Sequence, residues 1–188
     1  MIRLASTALF ILTLLQLPLS AQVYEFDSEH SSVGFDIGYV AGTAHGEFRQ
    51  FEGRLEFDPA DPERSTVSLT IRVNSVDTDS EKRDAHLQEE EYFHAQKFPT
   101  ITFQSKSFRK RGNNQYVVAG PLTIRGVSKP ITLHVELVRR QAQWAVKGDA
   151  LLFESEYELD RTDFGVSGGR PGVADQLKVF LKIKAFES

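Results

Sequence analysis

Apolar and polar residues alternate with a period of two over most of this chain, the signature of half-buried β-strands. Val33, Phe35, Ile37 and Tyr39 share one face of a strand, and Val67, Leu69, Ile71 and Val73 share one face of another. Opposite the second set stand Ser68, Thr70, Arg72 and Asn74. Ile131, Leu133, Val135 and Leu137 face away from Thr132, His134 and Glu136. Near the C-terminus Leu177, Val179, Leu181 and Ile183 alternate with Lys178, Phe180, Lys182 and Lys184. The same pattern predicts strands over 51–57, 100–106, 115–124 and 143–157, with a hairpin turn at Gly112-Asn113-Asn114. Along 143–157 and just beyond it the apolar phase moves from even positions (Trp144, Val146, Ala150, Leu152) to odd ones (Phe153, Tyr157, Leu159). That switch predicts a bulge or bend near 151–153.

One segment departs from the alternation. Near residues 79–93 a charged stretch containing Arg83, Asp84 and His86 reads as a short helix, with Asp79 as an acceptable N-cap and Glu89-Glu90-Glu91 as a solvated face. A helix so charged cannot enter a core, so it is expected over one end of the strands. Eight or so strands with short turns and one helical insert predict an all-β fold, an extended antiparallel eight-stranded barrel. A parallel sheet would need repeated crossover helices. The alternative architecture is a two-sheet sandwich. One strand face carries Arg54, Glu56, Arg72, Glu136, Lys178, Lys182 and Lys184, so that face meets water and the apolar face turns inward. An outer-membrane barrel would present the reverse.

The first 21 residues read as an export signal: Arg3, an apolar run from Ala8 to Leu17, and the small pair Ser20-Ala21 for cleavage. Gln22 stands where a lipoprotein signal would need Cys, and the chain has no cysteine at all, so a thioether lipid anchor and disulfides are both excluded. Residues 22–188 then form one domain, expected in the periplasm. The net charge of −4, lowered further by loss of Arg3, argues against nucleic acid as a partner.

Fourteen phenylalanines suit either a filled core or the wall of an apolar tunnel, since an eight-stranded barrel can be solid or hold one ligand. An ordered series of motifs adds weight to the second. It runs from Asp27-Ser28-Glu29-His30-Ser31 through Gly46-Glu47-Phe48-Arg49-Gln50-Phe51-Glu52-Gly53, Ser75-Val76-Asp77-Thr78 and Arg83-Asp84-Ala85-His86-Leu87. Tyr92-Phe93, Phe98-Pro99-Thr100-Ile101-Thr102-Phe103, Gly120-Pro121-Leu122-Thr123-Ile124-Arg125-Gly126-Val127-Ser128-Lys129-Pro130 and Asp163-Phe164-Gly165 complete it. Across the whole mature chain this series resembles the YceI-like family of polyisoprenoid-binding proteins. The resemblance implies a lipocalin-like barrel, export to the periplasm and an isoprenoid chain held in an internal tunnel. Relatives often place His at the end of the first long strand, where this chain has Tyr39, so the head-group end of the pocket is expected to differ.

The expected function is non-enzymatic binding, carriage or sequestration of an isoprenoid lipid, of the polyprenyl phosphate or isoprenoid quinone type, without cofactor or metal. Candidate ligand-binding residues are Phe35, Ile37, Phe48, Leu69, Ile71, His86, Phe103, Leu133, Trp144 and Phe180. A tail of roughly thirty to forty carbons at about 0.3 kcal/mol per heavy atom would supply about 9–12 kcal/mol, enough for sub-micromolar to nanomolar affinity. Arg83 and Asp84 are expected to tie the helix to the barrel rim, with His86 free to meet a head group. Two other functions stand beside this one: an enzyme using His86 with Asp84 on a lipid head group, and a filled barrel acting as a stress or interaction protein. No histidine pair has the close spacing of a zinc site. No G-x-S-x-G elbow is present, and Ser167-Gly168-Gly169-Arg170-Pro171-Gly172 reads as a flexible loop instead of a phosphate cradle. Arg109-Lys110-Arg111, at a hairpin tip, is the candidate for a transient contact with anionic membrane heads, although three basic residues anchor weakly. No oligomeric state follows from the sequence.

Overall fold

The computed structural model describes residues 21–142 and 149–188. The strands in chain order are β1 (Gln22–Phe26), β2 (Ser32–Tyr39), β3 (Gly42–Phe48), β4 (Phe51–Phe57), β5 (Thr66–Arg72) and β6 (Val76–Asp77). A seven-residue helix, α1 (Glu81–Leu87), follows, then β7 (Thr100–Gln104), β8 (Ser107–Gly112), β9 (Gln115–Ile124), β10 (Val127–Ala142), β11 (Asp149–Asp160) and β12 (Val173–Glu187). All pairings are antiparallel, and β1–β4–β5–β7–β9–β10–β11–β12 close into a ring through β12 and β1. The barrel is therefore eight-stranded, as the alternation predicts.

Four of its staves are interrupted. β1 and β2 lie in succession along β12, taking its residues 185–187 and 173–182 respectively. β3 and β4 form the next stave, β5 and β6 the third, and β7 and β8 both pair with β9 as the fourth. Backbone groups freed at two of these breaks find buried serines. The Ser75 hydroxyl donates to the Arg72 carbonyl at 2.6 Å and accepts from the Gln50 amide at 3.0 Å, while Ser105 Oγ accepts from the Val67 amide at 2.8 Å. Satisfying part-buried amides in this way lets the wall bend without orphaned donors.

The bulge expected in 151–153 lies instead on the neighbouring strand. β11 pairs with β12 without a shift from Ala150 to Asp160, whereas the β10 register jumps between Leu137 and Arg139 opposite Phe153 and Leu152. The extra residue is Val138, left 47% exposed. Two residues on one strand facing one on its partner look, from the partner's sequence, like a change of phase.

The meander puts the β2–β3 turn, the segment 78–99, the β9–β10 turn and the loop 161–172 at one end. The β4–β5 and β8–β9 connections lie at the other. The two ends are built differently. At the second end Phe57, wholly buried, meets Tyr116 and Phe153 edge-on at 5.7 and 5.9 Å and Phe108 at 6.1 Å, within a core that includes Tyr24, Leu55, Leu137 and Leu151. This half is solid. Arg109, Lys110 and Arg111 are exposed here, the opposite end from the helix.

Candidate functional site: an apolar cavity beneath the helical insert

The half nearer the insert is hollow. A cavity of about 450 Å³ is bounded by the inward faces of β2 (Val33, Phe35, Ile37, Tyr39), β5 (Leu69, Ile71), β10 (Ile131, Leu133) and β12 (Leu177, Val179, Leu181). An apolar cavity of about 150 Å³ accepts benzene, so on that scale this one holds roughly 18 carbons. The thirty- to forty-carbon tail expected from the sequence is larger than this space, because the aromatic cluster fills the far half of the barrel.

The insert forms the missing wall. The N-cap of α1 is Ser80, not Asp79, which sits further out at φ +59°; Ser80 is extended, and its side chain makes no capping bond. The helix is anchored through Thr78, 3% exposed. Asp84 Oδ1 accepts from the Thr78 amide at 2.9 Å and its hydroxyl at 2.5 Å, while Arg83 donates through Nε to Thr78 Oγ1 at 2.8 Å and through its Nη2 to the Thr78 carbonyl at 2.5 Å. Both residues tie the helix to the rim, as their types and spacing suggest. Downstream, Phe93 packs edge-on against Phe48 at 5.8 Å. Leu87, Tyr92 and Phe93 close the cavity roof.

The loop 161–172 braces this roof, and it is pinned, contrary to the flexible loop read from its glycines. Buried Arg161 donates from Nε to the Ala174 carbonyl at 2.8 Å, from Nη1 to Val166 and Gly168 at 3.0 and 2.8 Å, and from Nη2 to Val173 at 3.2 Å. The Ser167 and Gly168 amides donate to the Glu91 carbonyl. Gly168 lies flat against the Tyr92 ring, where a Cβ would stand 2.6 Å from it.

Of the described residues bounding the cavity, only Tyr39, Lys82 and His86 are solvent-exposed, which locates the mouth between the β2–β3 turn and α1. Lys82 and His86 are four residues apart and so share a helix face. Asp84 is bonded to Thr78. Tyr157, also on the cavity wall, has its phenol pushed above its ordinary value, by burial first and by the charge of Asp163 second. It stays neutral, so the wall presents no charge there.

Phe35, Ile37, Phe48, Leu69, Ile71, His86, Phe103 and Leu133 all bound this cavity. Trp144 lies outside the described residues. Phe180 is a correction: it belongs to the outer face of β12, opposite Gly34 and Glu156, because the inward face carries Leu177, Val179 and Leu181. Those three residues, with Tyr39 and Lys82, are cavity residues missed from the sequence. The β12 alternation carries the signal, since Leu177, Val179 and Leu181 share the face opposite Phe180.

A closed antiparallel barrel with an apolar interior and a capped mouth defines a lipocalin-like binding fold. The YceI-like domain model matches residues 24–185, and the chain belongs to that family. Protein YceI of Salmonella newport (strain SL254) is 32% identical over 171 residues, covering 89% of this chain and 88% of its own. The YCEI protein of Campylobacter jejuni superposes with a TM-score of 0.70 at 31% identity, over 76% of this chain and 84% of its own. Two more distant structures share the fold. BcnA of Burkholderia cenocepacia has TM-score 0.77 at 24% identity, over 85% of this chain and 98% of its own. A polyisoprenoid binding domain of Saccharophagus degradans, implicated in plant cell wall breakdown, has TM-score 0.67 at 14% identity, over 89% and 99%.

Proposed function

We propose that this protein binds and carries an isoprenoid lipid without changing it, the tail in the cavity and the polar head at the Tyr39–Lys82–His86 mouth. The observation that carries this reading is a hollow of about 450 Å³ walled by aliphatic and aromatic side chains, with the exposed polar groups among its described lining residues gathered at its opening. Ligand sites of this size are typically apolar with a few polar groups fixing orientation. Burial of the tail drives binding at about 25 cal/mol per Å² of apolar surface. The binding described for the Saccharophagus degradans domain supports the isoprenoid class. Lys82 and His86 suit an anionic head such as a polyprenyl phosphate, and His86 also suits a quinone carbonyl oxygen. The segment 1–21 supports export to the periplasm, where such a carrier would exchange lipid with a membrane. The engagement of Asp84 with Thr78 speaks against an acid–base pair with His86. Native mass spectrometry on protein purified without detergent tests the proposal. A mass increment that extraction identifies as an intact isoprenoid supports it. A protein that arrives empty and ignores added polyprenyl lipids overturns it.

A further inference from the structure

The cavity floor is a girdle of four side chains. Leu69 on β5, Phe103 on β7, Leu133 on β10 and Leu181 on β12 each bound both the main cavity and a second, smaller void of about 80 Å³ deeper in the barrel. They come from four of the eight staves spaced around the ring, so together they cross the bore. Phe103 is the bulkiest and is 6% exposed, with Leu69 and Leu122 as its cross-strand neighbours. Beyond the small void, Phe108 and Phe153 lead directly into the aromatic core.

From this arrangement we infer that the Leu69–Phe103–Leu133–Leu181 girdle is a molecular ruler that sets the length of tail the protein buries, with Phe103 as its stop. The inference rests on the lipid-binding reading above and adds tail-length selectivity to it. About 150 Å³ houses six carbons, so the main cavity accepts roughly 18 carbons, close to four isoprene units. A longer tail leaves its excess outside the mouth, where it gains nothing. Removing the Phe103 ring joins the two voids, and the 80 Å³ beyond, together with the space of the ring itself, admits about one to two further units.

The test is a titration series with geraniol, farnesol, geranylgeraniol and longer all-trans polyprenols against the wild-type protein, F103A and the milder F103L. Each isoprene unit buried should tighten binding by about tenfold, from about 0.3 kcal/mol per atom over five carbons. The wild-type affinity is expected to climb to geranylgeraniol and then level off. In F103A the climb continues past geranylgeraniol, and in F103L, should F103A fail to fold, it continues to a smaller extent. A wild-type affinity that keeps rising with the longer polyprenols overturns the ruler, as does a plateau that neither variant moves; in both cases lipid binding itself still stands. Failure of every alcohol to bind removes the lipid-binding reading and the ruler with it.

Discussion

Replacing Arg161 with methionine removes the guanidinium that clamps the loop over the cavity roof while keeping a long apolar stem. Four carbonyls, those of Val166, Gly168, Val173 and Ala174, lose their donor in a site where Arg161 is 5% exposed. Each buried acceptor left without a partner is worth about 1–3 kcal/mol. Against this, the variant no longer keeps a cation out of water, a penalty that Asp175, 3.7 Å away, offsets only in part. The balance is a loss of about 3–5 kcal/mol, a large share of the roughly 5–15 kcal/mol that holds a domain together. Urea unfolding followed by circular dichroism measures it. The expected record is a lower midpoint with little change of slope, since the surface exposed on unfolding is nearly the same. R161K should recover only part of the loss, because an ammonium cannot address four carbonyls spread around a planar fork. A loss below about 1 kcal/mol would refute the clamp, because four donor–acceptor pairs cannot vanish so cheaply unless water replaces them all.

Three further outcomes are expected. G120A places a Cβ 2.1 Å from the Gln104 carbonyl oxygen, a backbone atom of another strand, and should lose about 1–3 kcal/mol. By differential scanning calorimetry that is a Tm lower by about 3–10 °C. V179F fills the cavity from β12, and fluorescence-displacement titration should show geranylgeraniol binding weakened at least about tenfold, the equivalent of one isoprene unit displaced. In acid, Asp160 is held below the usual carboxylate range by the Thr162 hydroxyl first and the Thr162 amide second. A depressed folded pKa gives stability that is present above the unfolded value near ~4 and is lost as pH falls through the folded one. The drop in urea midpoint between about pH 6 and pH 3 should therefore be smaller in D160N than in the wild type, and equal drops would contradict the assignment.

The inward faces of the barrel were readable because a strand in a one-layered wall has only two sides to offer. Val33, Phe35, Ile37 and Tyr39 alternate with small or polar residues, and all four meet the cavity. The half-and-half interior was not readable. Whether Phe57 meets Tyr116 and Phe153 edge-on or leaves a void depends on how three distant staves stagger, and alternation along each stave is silent about stagger. Arg161 was overlooked for a related reason: in sequence it is one charge after a strand, and its four acceptors appear only when the loop folds back over it. That Arg83 and Asp84 tie the helix to the rim was legible because the contact is local, although Thr78, six residues before Asp84, emerges as their anchor only in the structure.

Isotope-filtered nuclear Overhauser spectroscopy on methyl-labelled protein with unlabelled geranylgeraniol asks most directly whether the tail occupies the hollow half. Cross-peaks from tail protons to the methyls of Ile131, Leu133, Leu177 and Val179, with none to Leu137 or Leu151 in the solid half, are the predicted result. Cross-peaks confined to the exposed methyls of Val127 and Val138, or none at all under saturating lipid, would contradict it.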